Sequence, residues 1–239
     1  MNRIVLMVLR NLFKVPGLWT KLCHYAKNTE QYPEQEKWDH IHKIMHIAVT
    51  SGNIDLVVTG KENLPVEDGF MMYANHQGMF DVVALAGDCE RPLAAVLKKE
   101  LAEVPLLKQI LQCTNSFAMD REDVRQSLTV IKNVTEEVKK GRNYLIFPEG
   151  TRSRNGNVMG EFHGGSFRCA LKAQCPIVPI AFIDSFRVLD QKGSKPVTVQ
   201  MHYLKPIPYE EFKDMKTVEL ADLVKARIQA CIDEKLANA

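Results

Sequence analysis

From residue 54 onward, short apolar runs rich in β-branched and aromatic residues alternate with amphipathic stretches of helical period. This alternation predicts an α/β fold, with a mixed and mostly covered sheet flanked by helices. The runs with the length and composition of strands are 54–59, 70–74, 93–97, 116–119, 143–147, 177–182 and 197–204.

Two longer stretches between and after these runs have the apolar period of helices. The first begins at Asp123, whose spacing to Gln126 suits a capping box, and Gly141 ends it. Its predicted buried face is Val124, Leu128, Ile131, Thr135 and Val138. The second begins at about Thr217. Its apolar face is Leu220, Leu223, Val224, Ile228 and Cys231.

The first 27 residues carry an apolar run, residues 4–9, that is far shorter than the roughly 20 residues of a spanning helix. On a helix this segment has a broad apolar face and one basic line, formed by Arg3, Arg10 and Lys14. Residues 16–17, Pro-Gly, are expected to break the helix. Such a segment can lie in the interface of an anionic membrane with Trp19 at headgroup depth, or it can pack on the core.

A second amphipathic pattern follows, formed by Trp38, Ile41, Met45, Ala48 and Val49. It is either a second interfacial helix or part of the core. We therefore divide the chain into residues 1–50, a pair of amphipathic helices expected to associate with a membrane, and residues 51–239, a globular α/β domain.

The composition fits one globular core, with 239 residues of which 46% are hydrophobic and 25% charged. The net charge of +2 gives no global basic field, so nucleic acid is not an expected partner. The six cysteines have no CxxC pair and no zinc-ligand spacing, which favours free thiols in a reducing compartment and predicts no metal site.

The stretch FMMYANHQGMFD places Asp81 five residues after His76, at the end of a predicted strand. Positions five apart diverge by about 140° on a helix, so a turn must bring the two side chains together, and Gly78 permits one. A carboxylate on one imidazole nitrogen leaves the other nitrogen free to accept a proton, as in a catalytic triad without its serine. The alternative is a capped helix terminus.

The stretch YLIFPEGTRSRNG ends another predicted strand in a turn with two arginines, two hydroxyls and a glycine. Gly150, Thr151 and Arg152 in such a turn can bind a phosphate through guanidinium and backbone N–H groups. The alternative is a solvated basic turn. No GxxxxGK and no GxGxxG sequence occurs in the chain.

The segments NHQGMFD and FPEGTRS resemble the first and third signature blocks of the glycerolipid acyltransferase family, which includes the 1-acylglycerol-3-phosphate acyltransferases. The segments SFAMDR and VPIAF resemble the second and fourth blocks, and all four occur in the order of the family across residues 70–185. The resemblance implies His76 as general base, preceded by Asn75, and Asp81 as its orienter. The residues it implies around the glycerol phosphate are Arg121, Glu149, Gly150 and Arg152.

Two positions depart from the family pattern. Gly78 stands where many members carry serine, which removes a hydroxyl beside the histidine. His163 stands where a lysine usually precedes the glycine, so the role of His163 as a phosphate contact stays open.

The resemblance implies that residues 51–239 are a catalytic domain, which transfers a fatty acyl group from acyl-CoA or acyl carrier protein to the 2-position hydroxyl of 1-acylglycerol-3-phosphate, giving phosphatidic acid. The thioester is a co-substrate and no cofactor is expected. The expected partners are lysophosphatidic acid, the thioester donor and a phospholipid surface, at the cytoplasmic face of the cell membrane. The alternatives are glycerol-3-phosphate as acceptor, a non-catalytic phospholipid-binding module, and a metal-dependent hydrolase.

Overall fold

The computed structural model describes residues 2–238 and has a seven-stranded mixed sheet at its centre. The strands are β1 (Ile54–Thr59), β2 (Met71–Ala74), β3 (Leu93–Lys98), β4 (Phe117–Met119), β5 (Asn143–Ile146), β6 (Ile177–Ile183) and β7 (Val197–Tyr203). Their order across the sheet is β1-β7-β6-β2-β5-β3-β4. Each predicted strand is therefore confirmed to within one residue at either end.

Helices precede, connect and follow these strands. In the described part of the chain they are α1 (Arg3–Arg10), α2 (Val15–Lys27), α3 (Glu34–Ser51), α4 (Phe80–Asp88), α5 (Leu107–Thr114), α6 (Val124–Lys139), α7 (Arg168–Ala173), α8 (Phe186–Leu189), α9 (Tyr209–Phe212) and α10 (Thr217–Ala237). None of those lying between residues 2 and 238 combines the length and the hydropathy that a membrane span requires.

Strand direction decides which loops meet. Strands β6, β2, β5, β3 and β4 all run parallel, whereas β7 runs antiparallel to β6 and β1 runs parallel to β7. The carboxyl ends of β2, β4, β5 and β6 therefore lie along one edge of the sheet, together with the amino ends of β1 and β7. Open α/β sheets bind their ligands at this edge.

Both faces of the sheet are covered, as predicted. Met72 and Ala74 of β2 face a core that includes residues of α2, α3 and α4. Met71 and Tyr73, which alternate with them, face a second core formed with α6, α7 and α10. A strand buried on both faces has to be apolar at every position, and this explains the uninterrupted run FMMYA.

Helix α3 belongs to the first of these cores. Trp38, Ile41, Met45 and Val49 are buried, and the Trp38 indole donates a hydrogen bond of 3.0 Å to the carbonyl of Cys89. Of the two alternatives for this pattern, core packing is therefore the one observed.

Helix α6 begins as predicted, because the Asp123 carboxylate accepts a 3.0 Å hydrogen bond from the N–H of Gln126. Its predicted buried face is partly wrong: Val124 is 69% exposed and Leu128 is also exposed. Thr135 and Val138 are buried as predicted, together with Val130 and Val134, which the prediction did not include. Val124 stands in the first turn, and Leu128 lies on the flank of the buried stripe.

The N-terminal helices differ from the prediction in two ways. The break between α1 and α2 falls at residues 11–14, and Pro16 lies in the first turn of α2, where a missing N–H has no cost. Arg3, predicted on an exposed basic line, is buried. Its guanidinium donates to the carbonyls of Gly52, Val188 and Lys195 at 2.6, 3.0 and 2.9 Å.

The close packing of α3 on α4 generates a prediction about Gly87. A Cβ atom at this position would lie 3.1 Å from the carbonyl carbon of Met45, so Gly87→Ala is expected to lower the free energy of unfolding by about 1–3 kcal/mol. Gly17→Ala is the matched control. No atom lies within 4 Å of a Cβ there, and the change is expected to stabilise the helix by about 0.5–1 kcal/mol. Urea unfolding of both variants measures the difference. A Gly87→Ala protein as stable as the parent would contradict this packing.

Candidate active site

The segment NHQGMFD, residues 75–81, forms the turn between β2 and α4 and the first residues of α4. Asn75 fixes the start of this turn, because its side-chain amide donates to the carbonyl of Phe182 at 2.9 Å and accepts from the Phe182 N–H at 2.7 Å. Both groups of the amide are thus bonded to β6, and Asn75 is buried. We predicted Asn75 among the substrate-binding residues, but the structure places it as an anchor between two strands.

The turn brings His76 and Asp81 together. Nδ1 of His76 lies 2.7 Å from Oδ2 of Asp81, in the first turn of α4. The same oxygen accepts the backbone N–H groups of Gln77 at 2.8 Å and Gly78 at 3.0 Å. Asp81 is completely buried, whereas the side chain of His76 keeps 19% of its surface exposed.

This contact fixes the tautomer of the histidine. A carboxylate can only accept, so Nδ1 carries the proton and the lone pair is on Nε2. Nε2 has no hydrogen-bond partner among residues 2–238. The ring also stacks on Phe147, with centroids 4.0 Å apart and planes at 23°, which restricts its rotation. The arrangement provides a proton acceptor at the sheet edge.

Glu149, at the end of β5, has a different place from the one that the resemblance implies. It is buried, and its two carboxylate oxygens accept the N–H groups of His76 at 2.6 Å and Gly160 at 2.7 Å. Burial raises the pKa of the Glu149 carboxyl above its ordinary value, while these two donors act in the opposite direction. The residue holds the backbone of the histidine. It does not face an open phosphate site.

Gly150, Arg121 and His163 lie close together. A Cβ atom at Gly150 would be 3.4 Å from Cδ2 of His163 and 3.8 Å from Nε of Arg121. Gly150 has a φ of +71°, a conformation that favours glycine. Within the described residues, the Arg121 guanidinium forms no ion pair. The Arg121 guanidinium, which follows β4, therefore lies beside the turn that follows β5.

Arg152 is already paired. Its guanidinium contacts the carboxylate of Asp190, and the other oxygen of Asp190 accepts the N–H of Met79 at 3.0 Å. Thr151, beside it, is exposed. A Cβ atom at Gly78 would lie only 2.5 Å from Oδ2 of Asp190 and 3.0 Å from the Cα of Phe186, which explains the glycine at this position.

Sequence patterns did not reveal Phe147 or Asp190 as neighbours of this site. Phe147 is the first residue of the segment FPEGTRS, but its stacking on the ring of His76 could be seen only in the structure. Asp190 lies in no motif, and only the fold brings it to Arg152. Among residues 2–238, no three histidine, cysteine, aspartate or glutamate side chains are grouped so that they could hold a metal ion.

The bonds of Glu149 predict the effect of Glu149→Gln. The glutamine amide has only one acceptor oxygen, and its NH₂ group would face one of the two backbone N–H donors, those of His76 and Gly160. One of these two buried hydrogen bonds is therefore lost. The free energy of unfolding is expected to fall by about 1–3 kcal/mol. Glu67→Gln, at an exposed loop position, is the matched control. Chemical denaturation of the two variants measures the difference, and equal stability of both would contradict the role of Glu149.

Known proteins resemble this chain in sequence. The chain is 28% identical over 193 residues to a 1-acyl-sn-glycerol-3-phosphate acyltransferase of Saccharomyces cerevisiae, a match that covers 79% of this chain and 63% of that protein. It is 30% identical over 166 residues to the enzyme of that name from Salmonella typhimurium, covering 69% and 66%. The chain thus spans slightly less than two thirds of the length of these relatives.

A solved structure has the same fold. The crystal structure of the 1-acyl-sn-glycerophosphate (LPA) acyltransferase PlsC from Thermotoga maritima superposes with a TM-score of 0.77 at 22% identity, covering 97% of this chain and 96% of that one. The sequence model of the family described as Acyltransferase matches residues 55–183. This range includes all but the first residue of β1, the whole of β2 to β6, and the segments NHQGMFD and FPEGTRS. The chain therefore belongs to the acyltransferase family.

Proposed function

We propose that this protein transfers a fatty acyl group from acyl-CoA or acyl carrier protein to the 2-position hydroxyl of 1-acylglycerol-3-phosphate, giving phosphatidic acid. The observation that carries the proposal is the 2.7 Å contact between Asp81 and His76, which leaves Nε2 unbonded at the carboxyl edge of the sheet. The relatives named above act, by their names, on this class of acceptor.

In the proposed reaction the protein supplies a base and the acceptor supplies the nucleophile. Nε2 of His76 removes the proton of the hydroxyl as its oxygen attacks the thioester carbonyl. A new carbon–oxygen bond forms, the carbon–sulfur bond breaks, and the thiolate takes the proton back from the imidazolium. Asp81 keeps the ring in the productive tautomer and stabilises its charged form. The thioester is a substrate, and the proposed step needs no cofactor.

Direct transfer is favoured over an acyl-enzyme because the described nucleophilic side chains are badly placed for attack. Ser185 is completely buried and contacts Asp81 rather than the histidine ring. Ser153 donates its N–H to the carbonyl of His76 at 2.9 Å, but its hydroxyl bonds the carbonyl of Gly156. Cys89, Cys113 and Cys169 are buried in the two cores. The substrate hydroxyl is therefore the proposed nucleophile.

Arg121 is the first proposed contact of the acceptor phosphate, since it is a cation without a carboxylate partner at the same sheet edge. Gly150 and His163 would lie beside this phosphate, because they adjoin Arg121. Arg152 is a second proposed contact. It can reach the phosphate once the phosphate replaces the carboxylate of Asp190, and guanidinium groups bind both anions in the same forked geometry.

A thioester transfer assay tests the function. The parent is expected to release thiol from an acyl-CoA or acyl carrier protein when 1-acylglycerol-3-phosphate is present, and to do so much less with glycerol-3-phosphate. His76→Ala and Asp81→Ala are expected to lose about 10²–10⁴-fold in rate, because the base or its orientation is removed. His46→Ala, an exposed histidine on α3, is the control and should keep the parent rate.

Three results of this assay would count against the proposal. Near-parent turnover by a folded His76→Ala protein would refute the base. Transfer to glycerol-3-phosphate alone would change the acceptor. Absence of thiol release with every acceptor would favour a non-catalytic lipid-binding module.

Helix α1 fits the proposed amphiphilic acceptor, because its apolar side chains face away from the protein. The exposed apolar residues of α1 and the following turn are Ile4, Val5, Val8, Leu9, Leu12 and Phe13, the last of them 98% exposed. The four carbonyls bound by Arg3 hold this helix against segments that flank β1, β6 and β7. These segments lie at the same edge of the sheet as His76. We place this surface in the interface of an anionic membrane, with Lys14 and Trp19 beside it.

Liposome flotation tests this placement. A double variant, Leu9→Glu with Phe13→Glu, is expected to reduce binding to anionic vesicles at least about tenfold, because each large apolar side chain contributes about 1.5–3 kcal/mol when buried. Val66→Glu is the matched control. Val66 is also 98% exposed, but its loop joins β1 to β2 at the opposite edge of the sheet. Undiminished flotation of the double variant, or an equal loss in the control, would remove α1 from the proposed interface.

A further inference from the structure

A buried serine lies on the far side of Asp81 from the histidine. Ser185 follows β6 by two residues and is completely inaccessible to solvent. Its hydroxyl contacts Oδ1 of Asp81, the carboxylate oxygen that His76 does not contact, and lies 3.1 Å from Oε1 of Gln77. The closer and charged carboxylate takes its single proton. Within the described residues, Ser185 is the only donor to this oxygen.

The position of Ser185 is fixed by a chain of side-chain amides. The Ser185 N–H donates to Oε1 of Gln77 at 3.0 Å, and Nε2 of Gln77 donates to Oδ1 of Asn157 at 2.8 Å. Asn157 in turn accepts the N–H of Asp184 at 2.9 Å and donates to its carboxylate at 3.0 Å. Three segments of the chain thus hold the serine hydroxyl against the carboxylate.

We propose that Ser185 is a positioning residue for the acyl transfer proposed above. Its hydroxyl fixes the rotation of the Asp81 carboxylate, so that Oδ2 remains in the plane of the His76 ring and holds the proton on Nδ1. The two oxygens then have separate tasks: Oδ1 is held by the β6 segment, and Oδ2 orients the base. The inference rests on the proposed function and lies outside the motifs that define the family, because the family match ends at residue 183.

The chemistry of a buried carboxylate explains why this bond matters. Burying a carboxylate oxygen without a hydrogen-bond donor costs free energy. Loss of a hydrogen bond to a charged group costs more free energy than loss of one between neutral groups. Without the serine, the carboxylate can relieve this cost by rotating toward other donors, which moves Oδ2 away from Nδ1. Substrate does not touch Ser185, because the serine is buried behind the carboxylate. Its removal should therefore affect the rate and leave substrate affinity unchanged.

Steady-state kinetics of three variants test the inference. Ser185→Ala is expected to lower kcat about ten- to hundredfold, with KM for donor and acceptor within about twofold of the parent. Ser185→Thr keeps a hydroxyl donor and is expected to recover most of the rate. Thr135→Val is the matched control, because it removes another buried hydroxyl, bonded at 2.8 Å to the carbonyl of Ile131 on α6, without contact to the dyad. The control should keep the parent kcat.

A second measurement does not depend on turnover. The proton on Nδ1 of His76 should give an NMR resonance that moves in Ser185→Ala and stays in place in Thr135→Val. A parent-like kcat and an unmoved resonance in Ser185→Ala would overturn the role of the serine, as would a folded Ser185→Thr protein as slow as the alanine variant. A parent protein that transfers no acyl group would refute the proposed function instead. The His76 resonance would still show whether Ser185 positions the Asp81 carboxylate.

Discussion

The buried carboxylate of Asp81 is the interaction on which the site depends. A carboxylate with no exposed surface is stable only when donors surround it. Here the donors come from the imidazole of His76, from two successive backbone N–H groups and from the hydroxyl of Ser185. To satisfy this one group, the turn after β2, the start of α4 and the segment after β6 must be held in a single arrangement. The position of the histidine ring follows from that requirement.

The sheet makes this convergence possible. Strands β6, β2 and β5 are neighbours and run parallel, so the residues that follow them emerge side by side at one edge. A second buried carboxylate, Glu149 at the end of β5, holds the backbone of His76 from the other side. Two carboxylates therefore position one histidine, the first through its ring and the second through its N–H group. The cationic residues Arg121 and Arg152 lie farther out on the same edge.

Much of this could be predicted from the sequence, because local patterns determine it. The apolar runs predict the strands. The spacing of His76 and Asp81 around Gly78 left a helix cap as an alternative, and the family resemblance favoured their pairing. Residues whose roles depend on distant partners were not found. Glu149 and Asn75 lie within motifs, but only the neighbouring strands show that they bind backbone. Arg3 satisfied the pattern of an exposed basic line, yet its guanidinium is buried and binds four carbonyls of distant segments. Ser185 belongs to no motif at all.

In the proposed transfer the protein activates the hydroxyl of the acceptor and forms no covalent intermediate. Intact-mass spectrometry after rapid mixing with an acyl thioester alone tests this mechanism. Direct transfer predicts an unchanged protein mass before acceptor is added, followed by stoichiometric thiol and acylated product once 1-acylglycerol-3-phosphate is supplied. A protein carrying one acyl group, which it then passes to the acceptor, would contradict direct transfer.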